Sequence, residues 1–314
     1  PVAIQARLVQ LRMQHPHWGP RKLLHRLATG EPGTAGPASS TAGDILKRHG
    51  LVTTRRRRHR TPPTAEPLRP ALQPNAVWAT DFKGWFRTQD GTRIEPLTLS
   101  DLASRYLLRC QSLHHTTYAA VQPVFVAAFR EFGLPAAMRS DNGPPFASVG
   151  LGGLSRLAVW WIRLGIRPER IQPGHPEQNG RHERMHRTLK QATAQPPRRT
   201  SRLQQRAFEQ FRQEYNHERP HEALAMQTPA HCYTPSLRSF PRRLPAVEYP
   251  GCYQVRQVRS NGEIKWQGRR LFVSEALIGE PVGLLEIEND LWRIEFGPVP
   301  LALYHTYTQQ CVRL

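Results

Sequence analysis

The sequence predicts a mixed α/β core, preceded by three short helices and followed by a run of short strands. Three observations carry that expectation. Apolar residues recur at helical spacing before Gly50, and Gly30 and Gly50 stop the runs. From Ala76 to Ala230, strand-like alternation and helical periods interleave. From Pro245 onward, short alternating segments are broken by pairs such as Asn261-Gly262 and Asn289-Asp290, which read as hairpin turns.

Composition narrows the function classes. At 314 residues the chain is long enough for about two or three domains. It holds 44 Lys or Arg against 24 acids, a formal net charge of +20, and its pI is near 11.0. That balance points to a polyanion partner, nucleic acid first. No apolar run approaches the ~20 residues of a membrane helix and no signal peptide is visible, so no membrane partner is expected. Cys110, Cys232, Cys252 and Cys311 are far apart and form no C-x-x-C pair. This argues against a zinc knuckle and a disulfide scaffold, and it suits a reducing cytoplasm. The chain opens on Pro1 rather than Met, which suggests missing upstream sequence.

Residues 1–60 form the first expected domain. Ala3–Gln14 reads as a helix, Pro20 opens a second that ends at Gly30, and a third runs from Thr41 to His49. Three short helices with a turn before the last make a helix-turn-helix pattern, whose final helix enters the major groove. Charge supports it: this segment holds 12 Lys or Arg against 2 acids. Its end, Arg55, Arg56, Arg57, Arg58 and Arg60, reads as a basic strap along DNA phosphates. A Pro-rich linker, 61–75, follows.

Residues 76–230 form the central domain. VWATDFKGWF alternates as a strand does and carries Asp81 beside Trp78, Phe82 and Trp85. A charge there is costly unless something pairs with it. Strands follow at Leu97–Leu99 and Tyr106–Leu113, then a helix over Thr117–Phe132 closed by Gly133. A short strand, Ala136–Arg139, delivers Ser140, Asp141, Asn142 and Gly143, so Asp141 sits where a strand ends in a turn. A helix over Leu154–Leu164 and a strand over Ile166–Ile171 lead to PGHPEQNGRHERMHRTLK, Pro173 to Lys190. Its prolines and glycine cannot enter a helix, but the run from Asn179 can. Met185, Leu189 and Ala192 share a core-facing stripe, while Glu183, Arg187 and Lys190 share the opposite one. A helix over Thr200–Tyr215 packs Leu203, Ala207 and Phe211 on one face.

Three acids on a strand, a strand end and a helix, with no candidate nucleophile, are the signature of a magnesium site for phosphoryl transfer. Hard cations prefer carboxylate oxygens, and two of them clamp the attacking and leaving oxygens.

WATDFKG, SDNGPPF and PEQNGRHERMHRTLK, followed by YNHERPHEAL and TPA, resemble motifs of the bacterial insertion-sequence transposases that share the retroviral-integrase core. The resemblance spans Ala76 to Ala230. It implies a ribonuclease H-like fold and a triad of Asp81, Asp141 and Glu183 as catalytic and metal-ligating residues. It implies two Mg²⁺ ions, with Mn²⁺ as an alternative, and double-stranded DNA (element ends and target) as partner. Arg187 and Lys190 are expected to hold phosphates. His175 and His182 are candidates for positioning DNA, though a satisfied or exposed histidine is the stronger reading. Asp141 and Glu183 are 42 positions apart, more than in retroviral integrases, which places extra residues in the Ser148–Gly153 loop. Retroviral integrases carry a His/Cys zinc module, whereas here no cysteine precedes Cys110, a departure from that pattern.

Residues 231–244 form a second linker and 245–314 a small SH3-like β-barrel of five strands. That last segment holds 7 Lys or Arg and 8 acids, so contacts between subunits of a homo-oligomer suit it as well as phosphate binding. The expected activity is DNA transposition or integration in the bacterial cytoplasm, at the nucleoid. The alternatives are a metal-dependent nuclease on the same fold and a DNA-binding regulator derived from a transposase.

Overall fold

The computed structural model describes residues 2–33, 35–52, 68, 70–148, 150–172, 175, 178 and 180–313. The arginine strap 55–60, most of the first linker, Glu177 and the Asn179 cap lie outside the described residues. The chain divides into two compact units: residues 1–74, 83–112 and 175–234 form the first, and 75–82, 113–174 and 235–314 the second.

The first unit begins with α1 (Val2–Gln14), α2 (Pro20–Gly30) and α3 (Ser39–Arg48). Pro20 occupies the first turn of α2, where its missing N–H is no loss. Leu8, Leu11, Trp18, Leu23, Leu27, Ala42, Ile45 and Leu46 make a small core between the helices. Strands β2 (Phe86–Arg87), β3 (Arg93–Asp101) and β4 (Leu107–Leu113) follow, with β3 pairing both of the others. Every residue of β3 after Arg93 is buried, so its sequence lacks the alternation of a half-solvated strand.

Helices α6 (Gly180–Thr193) and α7 (Ser201–Gln213) cover these strands. Met185, Leu189, Phe208, Phe211 and Tyr215 share a core with Ile94, Leu107 and Cys110. One expectation fails on α7. Leu203 is 40% exposed, and the buried stripe is Gln204, Ala207, Phe208 and Phe211. Gln204 enters because the helix junction needs its amide, which donates to the Thr193 carbonyl at 2.8 Å and accepts from the Arg198 N–H at 2.8 Å. A π-helical turn, Glu214–Glu218, continues α7. It presents Asn216, whose amide binds both the N–H and the C=O of Leu107 at 2.8 and 2.9 Å.

The second unit holds β1 (Val77–Phe82), α4 (Tyr118–Phe132), β5 (Ala137–Ser140), α5 (Arg156–Arg163) and β6 (Arg167–Arg170). Strands β1, β5 and β6 pair in parallel. Trp85 does not belong to the first strand. The chain leaves β1 after Phe82, Gly84 adopts φ +85°, and Trp85 is exposed beneath the Arg93 guanidinium at 4.7 Å. Gly133 closes α4 at φ +74°, where an added Cβ would lie 2.5 Å from the Ser236 carbonyl.

Among the described residues the C-terminal region holds seven short strands, in a five-stranded and a two-stranded sheet, rather than five strands. They are β7 (Gln254–Gln257), β8 (Glu263–Trp266), β9 (Arg269–Phe272), β10 (Pro281–Glu288), β11 (Leu291–Phe296), β12 (Val299–His305) and β13 (Gln310–Arg313). Five run in the order β13-β12-β11-β10-β7, and β8 pairs with β9. The run EIKWQGRRLFV is a hairpin, because Gln267 and Gly268 both adopt positive φ, +47° and +74°. The Ser148–Gly153 loop ends in a short helical turn that buries Leu151 with Val273, Leu277 and Leu301 of this region.

Arg139 of β5 and Glu169 of β6 stand opposite each other and pair at 3.0 Å, each side chain 9% exposed. Replacing Glu169 with Leu leaves the Arg139 cation facing an apolar neighbour and should cost about 3 kcal/mol, measured by urea unfolding. The double replacement Arg139→Leu/Glu169→Leu should recover most of that loss.

Candidate active site

Strand pairing decides where the two aspartates stand. Val77, Trp78 and Ala79 face Ala137, Met138 and Arg139, a constant offset of 60. Asp81 lies two residues further along β1 and Asp141 directly follows β5, so both stand at the C-terminal ends of adjacent parallel strands, about 4.8 Å apart. That end of an open parallel sheet is where α/β proteins build ligand sites.

Asp141 heads a tight turn. Its Oδ1 accepts the Gly143 N–H at 3.3 Å, and the Asn142 amide donates to the Ile171 carbonyl at 2.6 Å, tying the turn to the exit of β6. A Cβ on residue 143 would come within 3.2 Å of the Asp141 carboxylate. Below the turn, Phe82 and Phe146 pack with ring centroids 5.7 Å apart. Burial raises the Asp141 pKa above the usual carboxylate range, and the Gly143 bond offsets that only in part. A half-buried carboxylate beside a second one is a setting in which a hard divalent cation restores the ionised form.

Glu183 belongs to the other unit. It lies in the first turn of α6, on the exposed side with Arg187 and Lys190. The opposite side of α6 carries Met185 and Leu189, as the periodicity predicts. It also buries two histidines that the periodicity did not reveal as anchors. The Thr98 hydroxyl lies 2.6 Å from Nε2 of both His182 and His186, and Ser100 Oγ lies 3.1 Å from His182 Nδ1. A hydroxyl has one proton, so Thr98 donates to one imidazole and accepts from the other. Burial pushes His182 down to about 3 and His186 well below its usual value, so both rings are neutral at neutral pH. His182 is therefore a satisfied core histidine that bolts α6 to β3, not a residue turned toward DNA. The signal for this was the i, i+4 spacing of two histidines on the stripe of Met185 and Leu189.

Of the basic candidates, Arg187 lines a hollow together with Arg184 and Arg219, whereas Lys190 lines a separate one with Lys83 and Trp85. Arg198, Arg199, Arg202 and Arg206 are all exposed.

The Thr98 bridge gives a direct test of how α6 is held. Thr98→Val keeps the volume but removes the hydroxyl facing both imidazoles, and should destabilise the protein by about 1–3 kcal/mol in urea melts. Thr98→Ser should recover most of it.

Comparison with known proteins agrees with the motifs. Two family models described as integrase core domain match residues 71–176 and 164–229. The insertion element IS407 uncharacterized 31.7 kDa protein of Burkholderia multivorans is 31% identical over 230 residues, covering 72% of this chain and 79% of that one. The insertion element IS476 uncharacterized 39.2 kDa protein of Xanthomonas euvesicatoria is 29% identical over 257 residues, covering 80% and 70%. Among solved structures, a chain of the simian T-cell lymphotropic virus intasome aligns over 93% of this chain and 97% of its own, at 17% identity and a TM-score of 0.45. The chain belongs to the bacterial insertion-sequence transposases that share an integrase core domain.

Proposed function

We propose that this transposase cuts the ends of a mobile DNA element and joins each freed 3′-hydroxyl to target DNA, using Asp81, Asp141 and Glu183. The parallel pairing of β1 with β5, whose adjacent C-terminal ends lead to Asp81 and Asp141, is the observation that carries the proposal. Water attacks the phosphorus at the element end and releases a 3′-hydroxyl. That hydroxyl's oxygen then attacks a target phosphorus and displaces a target 3′-oxygen. One phosphodiester forms as one breaks, so joining requires neither an external energy source nor a covalent enzyme intermediate.

The donor set fits magnesium: carboxylate oxygens on rigid mounts, one of them raised in pKa by burial. Two Mg²⁺ ions, or Mn²⁺ in their place, are the proposed cofactor, lowering the pKa of the attacking group and neutralising the leaving oxygen. Asp81 and Asp141 act from strand ends, whereas Glu183 acts from a helix fixed by the Thr98 bridge.

The other modules complete this reading. Helices α1 to α3 serve as a helix-turn-helix that recognises element ends, and Arg55 to Arg58 with Arg60 lie along phosphates. Arg187 and Lys190 hold DNA beside Glu183. The C-terminal sheet acts as a small SH3-like barrel in a homo-oligomer. The proposed boundaries are those read from the sequence: 1–60, 61–75, 76–230, 231–244 and 245–314. No helix among the described residues is long and apolar enough to cross a membrane, and action on DNA places the protein in the cytoplasm, at the nucleoid.

Labelled element-end DNA, a target plasmid and Mg²⁺ test the activity. Joined product supports transposition, nicking alone supports a nuclease, and binding without either supports a regulator. Asp81→Asn, Asp141→Asn and Glu183→Gln should each lower nicking and joining by about 10³-fold, roughly 4 kcal/mol of barrier, while DNA binding persists. Glu177→Gln should keep most activity. Cleavage by Glu183→Gln together with its loss in Glu177→Gln would reassign the third acid. For the strap, replacing its five arginines with glutamine should reduce the log–log salt slope of duplex binding by about 4–5. An unchanged slope removes the strap from the DNA interface.

A further inference from the structure

The first unit contains a hollow of about 410 Å³ with an unusual lining. Lys22 reaches it from α2, Arg105 from the turn between β3 and β4, Arg181 and Arg184 from α6, and Arg219 and His221 from the segment after the π-helical turn. Glu222 is the acid in the lining, and it is paired with Arg21 at 3.1 Å. The size falls within the ~300–1,000 Å³ of ligand pockets. Four stretches of chain thus bring cations to one place, against their mutual repulsion.

The groups are held rather than scattered. Arg181 donates to the Leu102 carbonyl at 3.2 Å, and Arg184 Nε donates to the Gly180 carbonyl at 3.2 Å. The His221 ring stands edge-on to Tyr215, with centroids 4.8 Å apart. Arg105 adopts φ +65°, a left-handed conformation that side chains other than glycine rarely take. Its buried Nε, and the buried Nε2 of His221, have no hydrogen-bond partner among the described residues. Groups left so in a folded protein call for an explanation. Burial and the neighbouring cations also push Lys22 down to about 8 and Arg105 to about 10. An anion in the hollow would give the two unpartnered nitrogens an acceptor and offset the repulsion among the cations.

We propose that this hollow is a phosphate-binding pocket that takes a backbone phosphodiester of duplex DNA. The assignment of DNA rests on the transposase reading above; the assignment of a phosphate does not. Lys22 belongs to the N-terminal helices, whereas Arg184 follows Glu183 on α6. One bound phosphate therefore ties the DNA to the end-recognition module and to the helix carrying the third acid. The sequence motif YNHERPHEAL gains a role from this: Asn216 fixes the turn to β4, and Arg219 and His221 line the anion site.

The test uses the full chain in EDTA, so that no chemistry contributes. Inorganic phosphate, compared with sodium chloride at equal ionic strength, should raise the melting temperature saturably. Arg105→Gln and Arg219→Gln should abolish that rise and lower the salt slope for a duplex by about one unit each. Arg184→Gln, an exposed change on α6, provides the same reading if the buried arginine variants fold poorly. Arg242→Gln, exposed and outside the pocket, should change neither. The proposal is overturned if phosphate does not stabilise the wild type, or stabilises the pocket variants equally. Loss of the phosphate effect with an unchanged duplex slope would overturn DNA as the ligand in favour of a free phosphate compound. A protein that fails to join DNA yet passes this test refutes the transposase reading and leaves the pocket standing.

Discussion

The constraint on which the catalytic proposal depends is the register of two parallel strands. A one-residue slip between β1 and β5 would turn one aspartate to the opposite face of the sheet, because side chains alternate with a period of two. The observed offset of 60, over Val77–Ala79 and 137–139, would keep the two aspartates in step if it continued. Buried residues on both strands enforce it: Val77, Trp78 and Ala79 on one, Ala137, Met138 and Arg139 on the other. Packing in the core thus fixes the register on which the proposed pair of like charges depends.

Glu183 is mounted by different physics. An exposed acid on an amphipathic helix is only as well placed as the helix itself, and apolar contacts allow a helix to slide or rotate. The bridge from Thr98 to His182 and His186 is directional, and it meets α6 on both sides of Met185. Neutral imidazoles suit this role, because a charged pair in that setting would repel and would carry a large desolvation cost. Polar contacts in the core therefore specify where the functional face points.

Much of this was legible in the sequence because it is local. Pro20, Gly50 and Gly133 mark helix boundaries by their own backbone limits, and the strand before Asp81 and the turn residues after Ser140 follow from neighbours in sequence. The hairpin break at Asn289-Asp290 was readable from two residues, whereas Asn261-Gly262 turns the chain between β7 and β8, which pair with β10 and β9 and not with each other. The errors fell where distant partners decide. Leu203 yields its place to Gln204 because the helix junction needs an amide there, and Gln267-Gly268 turns a chain that alternation reads as continuous. The basic pocket was beyond reach of any pattern, since Lys22, Arg105, Arg184 and Arg219 lie on four separate stretches.

Charge shows how these sites differ in what they require. Arg139, two residues before Asp141, is engaged by Glu169 across the sheet. Its cation is therefore committed elsewhere, consistent with the raised pKa of Asp141. DNA phosphates are themselves anionic and would be repelled by carboxylates at strand ends, so binding and chemistry call for opposite electrostatics. A net charge of +20 draws a polyanion to the surface as a whole, and so supplies affinity that the carboxylates of the proposed site cannot. In the proposed reading the pocket arginines bind phosphate, while divalent cations would neutralise charge at the point where bonds change.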